Sequence, residues 1–181
     1  MTDDKIYRKI EKLRDPARLA FLETEKVVDL CLQGITAHAV LDVGTGSGIF
    51  AEGFAGRGLK VTGVDIQEPM LEAARKYVPG AAFQLASSEK LPFADHTFDL
   101  VFLGLVLHES DRHLSTLQES ARVCLKRIAV LEWPYKEGGY GPPLSHRIPS
   151  GQLHHLAETV GFSRIREIPL TFLILYLLEK E

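Results

Sequence analysis

A strand-like apolar run that ends in alternating glycines constrains this chain more than any other feature. Ala39-Val40-Leu41-Asp42-Val43 reads as a buried strand. Gly44-Thr45-Gly46-Ser47-Gly48 follows as a loop with glycine at every second position, and Ile49-Phe50-Ala51-Glu52 opens a helix. Glycine suits a backbone that turns sharply and must be approached closely. The following helix aims its free N–H groups and the positive end of its dipole into the same loop. In an open α/β sheet such a loop lies in the crevice beyond the strand's carboxyl end, where an anionic or hydrogen-bonding ligand binds.

The spacing narrows the ligand. A dinucleotide fingerprint, G-x-G-x-x-G, would put glycine where Ile49 stands, and a phosphate loop would need G-K-[ST], which is missing. A tight turn with no ligand remains open from this stretch alone. The second strand, Lys60-Val61-Thr62-Gly63-Val64-Asp65, also ends in a carboxylate, about twenty residues beyond Gly44. A carboxylate at that place suits a ribose diol, because it offers two acceptor oxygens and no donor. Asp65 could also cap the helix that starts at Gln67-Glu68-Pro69.

The remaining periodicities complete an alternating pattern. Ile6, Tyr7, Ile10 and Leu13 share a helical face over residues 3–14. Asp15-Pro16 caps a second helix that carries Leu19, Leu22, Val27, Leu30 and Cys31 inward and ends at Gly34. Ala81–Leu85, Phe98–Gly104 and Arg127–Trp133 read as further strands. Between the last two, Leu114, Leu117, Ala121, Cys124 and Leu125 form one helical face. Ser150 is placed to cap a helix bearing Leu153, Leu156, Ala157 and Val160, with Gly161 ending it. Arg164–Ile168 and Thr171–Leu178 then make a hairpin across Pro169. These elements give an α/β fold: a Rossmann-like, doubly wound, mostly parallel seven-stranded sheet with an antiparallel C-terminal hairpin. Residues 1–181 form one domain, with N-terminal helices over 1–34, a ligand-binding core over 38–132, a Gly- and Pro-rich substrate loop over 133–149 and a C-terminal helix and hairpin over 150–181.

The Asp-x-Gly-x-Gly-x-Gly loop, Leu91-Pro92-Phe93, Phe98-Asp99 and Leu105-Val106-Leu107-His108 together resemble class I S-adenosylmethionine-dependent methyltransferases. The similarity is to the small-molecule branch related to ubiquinone and menaquinone biosynthesis C-methyltransferases, and it covers roughly residue 16 to the end. The resemblance implies S-adenosyl-L-methionine as cofactor, S-adenosyl-L-homocysteine as product and a small-molecule methyl acceptor. It implies that Gly44, Thr45, Gly46 and Gly48 approach the methionine part and ribose, with Asp42 at the amino end and Asp65 on the ribose. Ile66 would cover one face of adenine, Ser87 and Ser88 its edge, and Leu103 the neighbourhood of the methyl group. The chain departs from the family where Ser87 replaces the usual acid, which removes charge assistance from that bond. His108, Trp133, Tyr135, Tyr140, His146 and Arg147 are candidates for the acceptor pocket. No residue is singled out as a catalytic base, because the sulfonium is already activated and in-line placement can suffice.

Composition excludes other classes. A net charge of −3 offers no basic surface for nucleic acid. Cys31 and Cys124 are too few and too far apart for a zinc site, so no metal is expected, and buried thiols suit a reducing cytoplasm. The acidic opening Met1-Thr2-Asp3-Asp4 is unlike a secretory leader, and Leu173–Leu178 is too short to span a bilayer. Two rivals stay open at this point: an NAD-dependent oxidoreductase on a related sheet, and a non-catalytic cofactor-binding protein.

Overall fold

The central strands are largely apolar because both of their faces are covered, whereas the edge strands are exposed. In the computed structural model, which describes residues 10–180, alternate residues of one strand feed two separate cores. Along β4 (Phe98–Gly104), Leu100 and Phe102 enter one core while Val101 and Leu103 enter the other. Ala129 and Leu131 of β5 (Cys124–Glu132) join the first, and Ile128 and Val130 the second.

The sheet has seven strands in the order β3-β2-β1-β4-β5-β7-β6. β1 (Ala39–Val43), β2 (Lys60–Asp65), β3 (Ala82–Leu85), β4 and β5 run parallel. β7 (Ile174–Glu179) pairs antiparallel with both β5 and β6 (Arg164–Pro169), as the hairpin reading requires. The order reverses between β1 and β4, so their carboxyl ends open a crevice between them.

Helices cover both faces. α2 (Thr24–Leu32) and α3 (Ile49–Gly56) bring Val27, Val28, Cys31, Phe50 and Phe54 onto the first core, where Phe50 and Phe54 both pack on the Phe102 ring. α5 (His113–Val123) and α6 (Ser150–Thr159) bring Leu117, Ala121, Leu153 and Ala157 onto the second. α4 (Glu68–Tyr77) packs Met70 and Ala73 against Ile10 and Leu13, in the turn of helix over 10–13. Ile6 and Tyr7 lie outside the described residues.

Several boundaries differ from the sequence reading. The helix after Asp15 breaks into α1 (Pro16–Leu22) and α2 at Glu23, whose backbone is left-handed with φ 48°. Its side chain contacts Lys26 and the Thr171 amide, so tertiary bonds overrule the helical run. Cys124 and Leu125 belong to β5, not to the preceding helix, because pairing with β4 begins at Cys124. Ser150 is the first residue of α6, whose cap is Pro149, and its hydroxyl binds Glu167 instead. Both cysteines are buried and free, and burial raises the thiol pKa of each. Among the described residues no helix is long and apolar enough to cross a membrane, and no cluster of His, Cys, Asp or Glu is arranged to hold a metal.

Candidate functional site

The glycine loop crosses the carboxyl end of β1 in a left-handed backbone, with Gly44 at φ 67° and Gly46 at φ 54°. A Cβ on Gly44 would stand 2.4 Å from Val106 Cγ2, whereas one on Gly46 would project into open space. The first glycine therefore allows the β1 and β4 ends to meet, and the second keeps a cradle clear.

Asp65 stands at the end of the neighbouring strand and is nearly buried. Its Oδ2 accepts from the Gly46 amide and its Oδ1 from the Gln67 amide, each at 2.9 Å. The same carboxylate thus ties the glycine loop to the turn before α4; the helix itself is capped at Gln67 without a side-chain bond, so Asp65 is not its cap. Each oxygen keeps a further lone pair for a ligand.

Two clefts adjoin over this crevice and share Gly44, Asp65, Gln67, Leu105 and Glu109, forming one trough. The first part is walled by Ile66, Ser87, Ser88, Glu89, Val106 and Ser110. Ile66 is 70% exposed, a large apolar face held at the rim. Ser87 Oγ accepts from the Glu89 amide at 3.2 Å, and Ser88 Oγ lies 3.1 Å from Thr116 Oγ1. The second part is walled by Asp42, Thr45, Gly46, Ser47 and, from the N-terminal helix, Arg18.

Asp42 is 2% exposed, and Thr45 donates a 2.7 Å bond to its Oδ2. Burial pushes its carboxyl up to about 7, against the pull of that bond. A buried carboxyl so placed readily gains a proton, or a cation as partner. Arg18 carries the opposite need: among the described residues its Nε is closed off from solvent without a hydrogen-bond partner, and burial lowers its pKa. Ser47 Oγ is likewise buried without a partner. Arg18 escaped the sequence reading because an arginine at the third position of an exposed helix looks like any solvated side chain. Leu105, also missed, holds a left-handed backbone (φ 59°) where β4 leaves the sheet, and it lines both halves of the trough.

Leu103 requires correction. It is fully buried in the core beneath α5 and α6 and lines neither half of the trough; Gly104 and Leu105 occupy the place assigned to it. A strand buried on both faces gives no sequence clue to which residue ends at the ligand.

The acceptor-pocket candidates separate into groups. His108 is fastened to Glu132: Nδ1 donates to Oε2 at 2.8 Å and the backbone amide donates to Oε1 at 3.1 Å. Burial draws the His108 pKa down, but the bond to Glu132 and the charges of Glu132 and Glu109 outweigh it and raise the value overall. His108 does not line the trough. It ties the turn over 105–110, which does, to the end of β5. Trp133 joins Phe21 at 5.6 Å between ring centres; Phe21 stacks on Phe172 at 4.5 Å and meets Tyr140 at 6.1 Å. Tyr135 and His146 are exposed and stand apart from this cluster.

Arg147 is the second correction. It is buried and donates to four carbonyls of its own loop, Pro134, Lys136, Tyr140 and Pro142, so its guanidinium folds the 133–149 segment and is spent on it. Its charge also lies over the Trp133 ring at 5.6 Å.

Comparison with known proteins places this geometry. A family model described as a methyltransferase domain matches residues 41–127. The chain is 37% identical over 93 residues to a demethylmenaquinone methyltransferase of Chlorobaculum parvum, covering 51% of this chain and 39% of that protein. It is 40% identical over 85 residues to the biotin biosynthesis bifunctional protein BioHC of Cellvibrio japonicus, covering 46% of this chain and 17% of that protein. The chain thus spans less than half the length of these curated relatives. Among solved structures, a SAM-dependent methyltransferase from Aquifex aeolicus superposes with a TM-score of 0.82 at 28% identity, over 94% of this chain and 96% of that one. Magnesium protoporphyrin IX methyltransferase from Synechocystis, solved with SAM bound, shares the fold with a TM-score of 0.76 at 16% identity, over 99% and 92% of the two chains. The glycine loop, the second-strand carboxylate and the reversed sheet order accord with these likenesses: residues 41–127 are similar to a methyltransferase domain, and the chain has the Rossmann-like fold of S-adenosylmethionine-dependent methyltransferases.

Proposed function

We propose that this chain transfers a methyl group from S-adenosylmethionine to a small, largely apolar and planar acceptor. The observation that carries the reading is the trough above β1, β2 and β4, in which Asp65 binds the glycine loop through Gly46 and shares the wall with the exposed Ile66 side chain. The residues suit the cofactor on their own chemistry. Asp65 offers free lone pairs for vicinal hydroxyls, Ile66 an apolar surface for a base, Ser87 and Ser88 hydroxyls for its edge, and Asp42 a carboxyl for an ammonium group.

When bound, S-adenosylmethionine supplies an electrophilic methyl on a sulfonium whose departure leaves a neutral thioether. The protein then has to orient the acceptor and exclude water. Gly104 and Leu105 form the floor at the β4 end. Leu105 donates to the Leu131 carbonyl at 2.9 Å, two residues before Trp133, so the aromatic group of Trp133, Phe21 and Tyr140 begins at the next strand. Its ring faces favour a planar apolar acceptor. The menaquinone-type name of relatives at 37% identity supports demethylated quinols as the first compounds to try. His108, held by Glu132, is a positioning residue for the turn that walls the trough.

The test is transfer of labelled methyl by the full chain to a panel of quinols and small phenols. Label in the acceptor with matching S-adenosylhomocysteine is expected, falling about tenfold or more in Asp65→Ala at limiting cofactor. Cofactor binding without transfer to any acceptor class would favour the non-catalytic rival.

A further inference from the structure

We propose that Arg18 receives the carboxylate at the amino-acid end of the cofactor, so that the N-terminal segment distinguishes an amino-acid-bearing nucleoside from the nucleoside alone. The inference rests on the S-adenosylmethionine reading above and adds a contact outside the glycine loop.

Arg18 and Asp42 wall the same end of the trough. Among the described residues, the Arg18 Nε is buried without a hydrogen-bond partner. An unpaired polar group costs free energy when buried, and a guanidinium recovers most from a carboxylate, which it grips with two parallel bonds. Asp42 at the same end is a buried acid with a raised pKa, which gains in the same way from a cation. One base and one acid, neither with its counter-charge among the described residues, match the zwitterion of an amino acid. A phosphate fits poorly, because Asp42, Asp65 and Glu109 line the trough.

The segment bearing Arg18 is held over the loop. Arg14 Nη1 donates to the Ser47 carbonyl at 2.7 Å, pairs with Glu52 and lies 3.6 Å from the Tyr77 ring centre. Ile10 and Leu13 pack on Met70 and Ala73. Arg14 thus fixes the chain just before α1 against the glycine loop, and Arg18 enters the trough from that anchor.

The test is calorimetric titration of the full chain, Arg18→Ala and Arg18→Lys with two ligands. S-adenosylhomocysteine carries the amino acid; 5′-methylthioadenosine keeps the nucleoside and thioether but lacks it. Arg18→Ala should bind S-adenosylhomocysteine about tenfold to a hundredfold more weakly than wild type, with methylthioadenosine affinity unchanged within about twofold. Arg18→Lys should recover part of the loss, since it keeps a charge but not the fork. Retained methylthioadenosine binding also shows that the variants are folded. Equal losses for both ligands, or no loss for S-adenosylhomocysteine, would overturn the assignment and leave the cofactor reading standing. Wild-type protein that binds neither ligand overturns both.

Discussion

Asp42 sets function against stability at a single atom pair. Its pKa is pushed up to about 7 in the folded chain, whereas an unfolded aspartate titrates at about 3.9. Between those values the folded state holds a proton that the unfolded state has released, so stability falls as pH rises through the window and levels off above it. The full effect of such a shift is at most about 4 kcal/mol. Asp42→Asn keeps an acceptor for the Thr45 hydroxyl and removes the charge. We expect it to flatten this part of the pH dependence and to raise unfolding free energy at about pH 8 by roughly 1–3 kcal/mol, read from urea melts. S-adenosylhomocysteine affinity should fall in the same variant, because the neutral amide no longer attracts an ammonium. A variant that is less stable than wild type at that pH would show that Asp42 is held charged by contacts stronger than its burial.

At this scale the sequence speaks unevenly. Asp65 is legible because its distance from Gly44 is fixed by one strand–helix–strand passage, whichever residues fill it. Arg18 is not, because its importance comes from the trough it enters and not from its neighbours in sequence. Arg147 is misread as a pocket residue for a related reason. Its partners are backbone carbonyls, and sequence marks no carbonyl as special.

Among the elements, the 133–149 segment shows how a Gly- and Pro-rich stretch becomes ordered without secondary structure of its own beyond one short 3-10 turn at Leu144–His146. Arg147 gathers four carbonyls from both arms of the loop. Arg147→Ala should release residues 134–142, raising their amide exchange at least tenfold and costing about 2–4 kcal/mol of stability. Arg147→Lys should rescue little, since an ammonium cannot hold four acceptors in the plane of a fork. Unchanged exchange in Arg147→Ala would place the loop's order in the aromatic cluster instead.

The His108–Glu132 tie belongs to the same scale, since it joins the β4 and β5 ends. Because His108 is raised above its ordinary value of about 6.5, its contribution is full below that pH and fades as pH rises through the folded value. His108→Gln should therefore cost more stability at about pH 6 than at about pH 9 in urea melts. An equal cost at both pH values would mean that the neutral hydrogen bond carries the whole contribution.

In the whole molecule, the mostly parallel seven-stranded sheet and its antiparallel ending are the most legible properties. Alternation of strand and helix leaves few topologies, and a link as short as 170–173, with Pro169 ending β6 instead of forming the link, makes the last two strands a hairpin. What is lost is detail where tertiary contacts overrule local pattern: the break at Glu23, the start of β5 at Cys124 and the side chains at the β4 end. The proposed acceptor wall is the least legible of all, since its rings come together only in space, from α1, the 133–149 loop and the β6–β7 connection.

The central claim is that the trough is built for S-adenosylmethionine, and titration of the full chain with S-adenosylhomocysteine and, separately, with NADH near neutral pH tests it most directly. The account predicts saturable one-to-one binding of S-adenosylhomocysteine and a stabilisation of about 2.7 kcal/mol at a hundredfold excess over its dissociation constant, with no saturable response to NADH. Saturation by NADH with no response to millimolar S-adenosylhomocysteine would contradict it.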